Sequence, residues 1–381
     1  MNLDFSEDQY LLRNTVRRFL ADRCPPAAVR AVLEGVEPFD RGLYKGLAEL
    51  GVLGAAIPEA YGGMGLGQLE LCVLAEELGR SLAPTPVSSS IYLASQFLLA
   101  AGSEAQKTRL LPGLACGDLI GTFAFAESAG RTTPASIRVV VNDGHLSGIK
   151  IPVPDGDVAD FAVVAARDAD TSEGVSLVIV ELNGPAVTHQ VVETIDPTRS
   201  QARLIFKDAR AERLGAVGGG WRIIEQVLDR AAVLIAFEQV GGADRALEMA
   251  RDYALDRMAF GRPIGSFQAL KHMMADMYVS ATLARSNAYY GAWALTTGNA
   301  ELPVAAATAR VSATQAFQQC AKNNIQVHGG MGFTWEFDCH LYYRRANALG
   351  LALGSLSMWE DLLVERLRRQ AEELASRAAR P

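Results

Sequence analysis

The segments that decide the fold are Arg257-Met-Ala-Phe-Gly-Arg-Pro-Ile-Gly-Ser-Phe-Gln268 and Gln326-Val-His-Gly-Gly-Met-Gly-Phe-Thr-Trp-Glu336. Each joins hydrogen-bonding side chains, among them Arg257, Gln268 and Gln326, to glycines. Glycine has no Cβ, so it lets backbone N–H groups approach a ligand closely. Such N–H groups beside a hydrogen-bonding side chain are what binding of a pyrophosphate requires. The two segments therefore predict a site for a ligand that contains a diphosphate.

The composition is that of an ordinary globular protein. The chain has 381 residues, of which 49% are hydrophobic. This length allows roughly two or three domains. The formal net charge is −7 at pH 7 and the pI is near 5.4. A surface that holds the phosphates of nucleic acid or of an anionic membrane needs a basic face, so the sequence disfavours both kinds of partner.

The cysteines and the N-terminus indicate a cellular compartment. The five cysteines form no Cys-x-x-Cys pair, and their odd number suits free thiols rather than a disulfide or zinc framework. The first residues carry no basic stretch followed by an apolar run, and no window reaches about 18 uninterrupted apolar residues. We therefore predict a cytoplasmic protein that is neither secreted nor membrane-spanning and that holds no metal.

Hydrophobic spacing divides the chain into three predicted domains. Residues 1–115 show helical spacing from Asp4 onward, residues 116–217 alternate with a period of two, and residues 218–381 return to helical spacing. Closely spaced strands without intervening helices favour an antiparallel sheet or barrel over βαβ units. The predicted fold class is therefore a mainly α, multi-domain α+β protein. It has an N-terminal helical domain, a middle antiparallel β-barrel or sheet and a C-terminal four-helix bundle.

Caps and turns predict the individual elements. Ser6 with Glu7 and Asp8 is typical of a capped helix start. Further N-terminal helices are predicted at Asp40–Leu50, Gln68–Arg80, Ser89–Ala101 and Ser103–Leu111. Strands are predicted at Arg138–Val141, His145–Lys150, Phe161–Ala166, Val175–Val180, Val187–Glu193 and Ala202–Phe206. The four C-terminal helices are predicted at Trp221–Met258, Phe267–Thr296, Pro303–Val327 and His340–Ala379.

Two further motifs stand earlier in the chain, Pro58-Glu-Ala-Tyr-Gly-Gly-Met-Gly65 and Ala75-Glu-Glu-Leu-Gly79. In this order, and with the two C-terminal segments, they resemble the acyl-CoA dehydrogenase family over essentially the whole chain. The resemblance implies an FAD cofactor. Its diphosphate and adenine side would be contacted by Arg257, Phe260 and Gln268, and its adenosine end by Gln326, Gly329 and Gly330.

In the family these contacts cross a subunit interface, which makes a tetramer built as a dimer of dimers the expected assembly. Structural interpretations of the same residues remain open. Gly329 and Gly330 suit a helix C-cap, and Arg257 suits a helix-end cation favoured by the dipole. His328 and His272 have no nucleophile or carboxylate close by in sequence, so both are interpreted as packing or hydrogen-bonding residues rather than bases.

The reaction implied by the resemblance removes two hydrogens from an acyl-CoA. A carboxylate takes the α-proton while the β-hydrogen leaves as hydride to the flavin, and electron-transfer flavoprotein is the expected next acceptor. Family members commonly carry Glu-Gly-Thr about nine residues past the arginine that follows the Gly-Gly segment. Counting from Arg344 gives Leu353-Gly354-Ser355 here. Leucine cannot accept a proton, so this carboxylate is absent.

Some family members instead place the base near the start of the long helix after the β domain, beside an arginine. The matching residues are Asp229, with Arg230 as the substrate-binding arginine. Glu238 is a second candidate, expected about two turns further along the same helix face. It lies in an apolar stretch, where burying an uncompensated carboxylate is costly. Glu238 is therefore either a base or a structural partner of an arginine.

The side of the site that faces the flavin also departs from the family pattern. Many members have a Thr-Glu-Pro-x-x-Gly-Ser-Asp loop and a later strand that carries an aromatic residue and a threonine. This chain has Ala124-Phe-Ala-Glu-Ser-Ala-Gly-Arg131 and Ile151-Pro-Val-Pro-Asp155. Pro152 and Pro154 have no N–H to donate and offer neither a hydroxyl nor an aromatic ring. The half of the FAD site that a subunit keeps for itself is therefore degraded.

Three hypotheses account for these departures. In the first, the chain pairs with a homologous acyl-CoA dehydrogenase subunit that supplies the flavin pocket and the base. A heterotetramer with two FADs instead of four would follow, as in two-chain dehydrogenases of bacterial steroid breakdown, which act on bulky acyl groups. In the second, the chain is a self-sufficient homotetramer that uses Glu238 or Asp229 as base. In the third, it is a non-catalytic subunit that stabilises a partner enzyme.

Overall fold

The structure is a computed structural model that describes residues 6–169 and 174–378. The expectations for Asp4 and Ala379 lie outside these residues. Contacts group the chain into two compact units. The helical unit consists of Met1–Ala21, Cys72–Ala83 and Ala232–Pro381, and the mixed unit of Asp22–Leu71 and Pro84–Ala231. The three-domain division in chain order stays a prediction.

The helices follow the predicted pattern. They are α1 (Glu7–Arg23), α2 (Pro26–Leu33), α3 (Arg41–Glu49), α4 (Gln68–Arg80), α5 (Ser95–Ala101), α6 (Glu104–Ala115), α7 (Gly220–Asp256), α8 (Gln268–Thr296), α9 (Leu302–His328), α10 (Cys339–Leu351) and α11 (Leu356–Ala378). At the start of α1, Ser6 N donates to Gln9 Oε1 (2.9 Å) and Gln9 N to Ser6 Oγ (3.3 Å), so the predicted cap is confirmed. Asp40 caps α3 in a similar way by accepting from Leu43 N (2.8 Å). The sequence did not predict α2, nor that Ser88–Ala94 before α5 is a π-helical turn.

The predicted fourth C-terminal helix is wrong as a continuous element, because it breaks between α10 and α11. Leu353 (φ 60°) and Gly354 (φ 114°) lie in the left-handed region, and a right-handed helix cannot pass through it. The buried Arg310 of α9 donates to the carbonyl oxygens of Leu349 and Ala352 (2.7 Å to Ala352) at the end of α10. A cation at this position satisfies helix-end carbonyls and interacts favourably with the helix dipole.

The Ala75–Gly79 motif of α4 packs against α7 inside the helical unit. A Cβ at Gly79 would overlap the backbone of Glu238, and one at Gly241 would overlap the Glu76 carbonyl. Only glycine lets the two helix backbones approach this closely. The motif's acids bind arginines: Glu76 accepts from Arg285 (2.8 Å), and Glu77 accepts from Arg13 (3.1 Å) and Arg17 (2.7 Å). The motif therefore has a packing role of its own.

The mixed unit is built around an eight-stranded sheet. The strands are β1 (Gly121–Ala124), β2 (Val140–Asn142), β3 (His145–Pro154), β4 (Phe161–Asp168), β5 (Ser176–Glu181), β6 (Val187–Val191), β7 (Gln201–Arg210) and β8 (Glu212–Leu214). The order is β6-β7-β3-β2-β4-β5-β8, with β1 also paired to β4. Most pairings are antiparallel as predicted, but β4 pairs in parallel with both β1 and β2. The predicted α+β class, mainly helical with a central sheet and C-terminal helices, is confirmed.

Two short strands, β9 (Met258–Ala259) and β10 (Arg262–Pro263), form a hairpin after α7. The tip of this hairpin is Phe260-Gly261, and both residues have positive φ (52° and 76°). Within the part of the chain that the structure describes, none of the helices has both the length and the apolar character needed to cross a membrane.

Candidate functional site

The two glycine-containing segments of the sequence meet in one cleft of the helical unit. This Arg257 cleft has a volume of ≈ 420 Å³. Its lining residues are Tyr253, Arg257, Ile264, Val327, His328, Gly329, Gly330 and Met331. The cleft thus joins the end of α7 and the β9–β10 hairpin to the end of α9, although these segments lie about 70 residues apart in the sequence.

Backbone hydrogen bonds hold Arg257 between α7 and the hairpin. Its N–H donates to Tyr253 O (2.9 Å), and its carbonyl accepts from Ile264 N (2.8 Å). The side chain is exposed, and among the residues described here it has neither a hydrogen-bond partner nor an ion-pair partner. Arg257 follows α7 directly, so the helix-end interpretation also fits its position. The guanidinium nevertheless keeps all its donors available to a ligand.

Two glycines, Gly329 and Gly330, line the other side of the cleft, and each is suited to its position for a different reason. Gly329 ends α9 with φ 60° and ψ −137°, and its N–H donates to Gln326 O. This conformation needs glycine, as the helix C-cap interpretation requires. Gly330, by contrast, has ordinary φ, and a Cβ on it would meet no atom within 4 Å. Neither packing nor backbone conformation explains glycine at position 330, and its absent side chain leaves the backbone open to the cleft.

The remaining predicted cofactor residues, Gln268, Gln326 and Phe260, are not among the residues that line the cleft. Gln268 and Gln326 are exposed, and their side chains make no hydrogen bond to any residue within the described ranges. Phe260 at the hairpin tip is 94% exposed, with its ring edge-on to Phe267 at 6.2 Å. An apolar ring this exposed has no packing partner on its outer face among the residues that the structure describes.

An aromatic stack forms the floor of the cleft. The His328 ring lies 4.0 Å from the Tyr253 ring at an interplanar angle of 23°, and Phe337 contacts both rings edge-on. His328 Nδ1 is 2.8 Å from the carbonyl oxygen of Asn324. Burial lowers the pKa of His328. His272, the other histidine considered from the sequence, is exposed on α8 and lies outside the cleft.

The loop that follows β1 in the mixed unit is closed by a buried ion pair. Lys150 Nζ donates to Glu127 Oε1 (2.7 Å) and to Phe125 O (2.9 Å). Glu127 also accepts from Arg138 N (2.7 Å) and Val139 N (3.1 Å). Burial lowers the pKa of Lys150 to about 8. The charges of Lys150 and Glu127 are therefore bound to each other.

The polar groups at the neighbouring end of β3 also bind other residues of the mixed unit. Pairing between β3 and β7 shifts register between Lys150 and Val153, where Pro152 has no N–H to donate. The Pro154 carbonyl accepts from Thr122 Oγ1 (2.5 Å). Asp155, which follows, is buried and accepts from Ser89 Oγ (2.5 Å), and burial raises its pKa to about 6. No backbone N–H or hydroxyl is available at the two proline positions.

Both candidate bases lie on α7 and are buried. Asp229 is 5% exposed and belongs to the mixed unit, and Glu238 is fully buried in the helical unit. The expectation that they share a helix face is wrong. Nine residues separate them, and at 3.6 residues per turn this step is about two and a half turns, which directs the side chains to opposite faces. Arg230 is half-buried beside Asp229 and makes no side-chain hydrogen bond or ion pair with the residues described.

Two long-range structural links were not predicted from the sequence. The Lys150–Glu127 pair joins residues 23 apart, and Arg310 reaches the end of α10 across 39 residues. No nearby sequence pattern predicts either link. Lys150 does stand in an alternating strand pattern, where a charged side chain should either face solvent or bind an opposite charge. Within residues 6–169 and 174–378, no group of three or more His, Cys, Asp or Glu side chains is arranged to hold a metal ion.

Comparison with known proteins places this geometry in a family. The family model described as acyl-CoA dehydrogenase, N-terminal domain, matches residues 6–118, and the model described as acyl-CoA dehydrogenase, C-terminal domain, matches residues 218–367. Acyl-CoA dehydrogenase IpdE2 of Mycobacterium tuberculosis (strain ATCC 25618 / H37Rv) is 36% identical over 350 residues, which cover 92% of this chain and 94% of the relative.

Two solved structures are similar over nearly the whole length. The ChsE4-ChsE5 complex from Mycobacterium tuberculosis contains a chain that is 28% identical, with a TM-score of 0.86 over 98% of this chain and 99% of the other. A variant of the Tcur3481-Tcur3483 steroid ACAD is 30% identical, with a TM-score of 0.86 over 96% of this chain and 99% of the other. Relatives in this family are FAD-dependent oxidoreductases of lipid catabolism. The chain belongs to the acyl-CoA dehydrogenase family.

Proposed function

We propose that this chain is one subunit of a heterotetrameric acyl-CoA dehydrogenase, and that its Arg257 cleft binds the ADP part of an FAD whose flavin lies in a homologous partner subunit. One observation carries the proposal: the Arg257 side chain in the cleft is exposed and binds none of the described residues, whereas Lys150 and Glu127 bind each other and the Pro154 carbonyl accepts from Thr122. Such a chain can bind the ADP part of an FAD whose flavin lies in the partner, but it has no flavin pocket of its own.

The residues of the cleft suit the diphosphate and the nucleoside. Arg257 presents a planar set of donors of the kind that binds phosphate oxygens. Gly329 and Gly330 leave room for the cofactor to approach the backbone, because a Cβ at either position would point into open space. Gln268 and Gln326 add exposed amides that can donate or accept. Phe260 would cover apolar surface on the partner from the hairpin tip.

The residues of the mixed unit do not suit a flavin ring. Binding the ring's nitrogens and oxygens requires N–H and hydroxyl donors on its edge, and Pro152 and Pro154 supply neither. Opening the loop after β1 to supply donors would separate Lys150 from Glu127. Removing one partner of such a buried pair typically costs about 3–5 kcal/mol.

The proposed reaction is the α,β-dehydrogenation of an acyl-CoA thioester. FAD supplies the hydride acceptor when it is bound, and the chain's own contribution is to hold and orient the cofactor's ADP part. Leu353 stands where the family resemblance expects a carboxylate, so the base belongs to the partner. We propose electron-transfer flavoprotein as the next acceptor. The similarity to a steroid ACAD and to the ChsE4-ChsE5 complex supports a bulky acyl group and a two-chain assembly.

A self-sufficient homotetramer is the second candidate. It is favoured by the burial of Asp229 beside Arg230, which is half-buried and has no side-chain partner among the described residues. Here Asp229 would be the base, or Glu238 on the opposite helix face, and Arg230 would bind substrate. A non-catalytic stabilising role is the remaining alternative.

Purification of the chain by itself separates the first two candidates. The heteromer proposal predicts little bound flavin and no bleaching of flavin absorbance on addition of an acyl-CoA. Near-stoichiometric flavin that bleaches with acyl-CoA would exclude the heteromer, and loss of bleaching in Asp229→Asn or Glu238→Gln would then identify the base. The alternative of a non-catalytic stabilising role requires that Arg257→Ala leaves the flavin content and turnover of the complex unchanged.

A further inference from the structure

His328 lies in the Arg257 cleft with a fixed ring and a fixed tautomer. Its Nδ1 is 2.8 Å from Asn324 O, and a carbonyl oxygen can only accept, so Nδ1 carries the proton and donates. The stack on Tyr253 and the edge contact with Phe337 at 5.7 Å hold the plane of the ring, and the hydrogen bond to Asn324 O selects which ring nitrogen faces that carbonyl. Nε2 is therefore the nitrogen with a lone pair.

Nothing in the described chain uses that lone pair. Nδ1 makes the one hydrogen bond of the His328 side chain to residues of the described ranges, and its other contacts are ring contacts. His328 is only 6% exposed, but Nε2 is not among the fully buried polar atoms that lack a partner, so it keeps a small opening to its surroundings. Because His328 lines the cleft, we take this opening as the point at which a molecule in the cleft meets Nε2.

His328 Nε2 is one of the side-chain acceptors in the lining of the cleft, beside the Tyr253 hydroxyl. Arg257 can only donate, the Tyr253 hydroxyl both donates and accepts, and Ile264, Val327 and Met331 are apolar. Phosphate oxygens need donors, which Arg257 provides. The nucleoside part of a nucleotide carries donors of its own, the ribose hydroxyls and the exocyclic amino group of adenine, and these need an acceptor.

We propose that His328 is a specificity-determining residue of the Arg257 cleft, and that its Nε2 accepts a hydrogen bond from a hydroxyl or amino donor of the nucleoside bound there. The inference rests on the proposed function, because it takes the ADP part of FAD as the occupant of the cleft. Burial, which lowers the pKa of His328, keeps the ring neutral at pH 7 and so preserves the acceptor.

Two amide substitutions test the two nitrogens separately. In His328→Gln the side-chain amide reaches the position of Nε2, whereas in His328→Asn it reaches only that of Nδ1. ADP is the probe, and its affinity for the full chain is measured by calorimetry, with the melting temperature as a check of folding. We expect His328→Asn to weaken ADP binding about three- to tenfold, the effect of one lost hydrogen bond, and His328→Gln to bind ADP nearly as the native chain does. His272→Asn, an exposed histidine outside the cleft, is the matched control.

Nucleotide analogues identify the donor. Inosine diphosphate lacks the amino group, and 3′-deoxy-ADP lacks one ribose hydroxyl. An analogue that lacks the donor recognised by His328 should bind the native chain and His328→Asn with equal affinity. The group missing from that analogue is therefore the donor.

The possible failures are distinguishable. If Arg257→Ala weakens ADP binding while folded His328→Asn and His328→Gln both bind like the native chain, the role of His328 is wrong and the proposed function stands. If the native chain does not bind ADP, both are wrong. Should His328→Asn fail to fold, loss of ADP binding in folded His328→Gln would overturn the role of His328, and native-like binding would support it.

Discussion

The Arg257 cleft and the closed loop (residues 124–131 with Lys150–Asp155) contain similar polar chemistry used in opposite ways. In the cleft, Arg257 is exposed and has no partner in the described part of the chain. In the closed loop, Lys150 is buried and binds Glu127 and a carbonyl. A cation that has already been desolvated and paired stabilises its own fold, whereas an unpaired exposed cation remains available for a ligand. The difference teaches that a family motif has to be judged by what its groups already bind.

Removal of the Lys150 ammonium should have the largest effect. Lys150→Met leaves the Glu127 carboxylate with two backbone N–H donors but without a cation. We expect a loss of about 3 kcal/mol in the free energy of unfolding, since breaking a buried pair strands a charge. Denaturant unfolding measures it. The control is Lys107→Met, in a more exposed pair with Glu104 (3.5 Å), for which the expected change is below about 1 kcal/mol. Equal effects of the two substitutions would show that the loop is not held closed by this pair.

Removal of the Arg257 guanidinium should affect binding rather than stability. Arg257→Ala is expected to weaken ADP binding about tenfold to a hundredfold, as loss of charge-assisted hydrogen bonds does. The melting temperature should not change, because Arg257 has no side-chain partner among the described residues. Arg251→Ala is the matched control, since Arg251 is exposed on α7 and paired with Asp252. An unchanged ADP affinity in Arg257→Ala would remove the basis for calling the cleft a nucleotide site.

A smaller effect is expected from pH. The pKa of His328 lies below its usual value of 6.5, so the ring stays neutral down to that pH and becomes protonated only below it. A protonated Nε2 cannot accept a hydrogen bond. The contribution of His328 to ADP affinity should therefore be constant from pH 8 to 6.5 and fall on further acidification. The phosphate of ADP also titrates, so the comparison is with His328→Gln, which should lack the part of the decline that His328 causes. Parallel curves for the two chains would contradict the prediction.

Leu353→Glu should have no effect on activity when the chain is alone. It restores a carboxylate at the break between α10 and α11, where leucine already occupies a left-handed conformation, so the strain of a non-glycine residue is unchanged. Without a flavin pocket of its own, the chain should gain neither bound flavin nor bleaching by acyl-CoA. Acyl-CoA-dependent bleaching in this variant would mean that the closed loop accepts a flavin after all.

The sequence predicted those parts of the fold that have local causes. Ser6 and Asp40 cap helices through residues three positions away, and α4 has the predicted bounds. The two glycine segments also identified Arg257, Gly329 and Gly330, which the structure brings into one cleft. What escaped prediction depends on partners far along the chain. The parallel pairing of β4 with β1 and β2 and the closure of Lys150 on Glu127 are long-range contacts. The break at Leu353 had the weak local signal of Gly354, which a helical pattern tolerates.

The ratio of FAD to chain tests the central claim most directly. The chain is purified alone and with a homologous acyl-CoA dehydrogenase subunit from the same source, and FAD is quantified by absorbance after denaturation. If the chain supplies only the ADP-binding half of each site, it should carry almost no FAD alone, and the complex should hold about half an equivalent of FAD per subunit, one for each unlike pair. A full equivalent of FAD per subunit, in the chain alone or in the complex, would contradict the account.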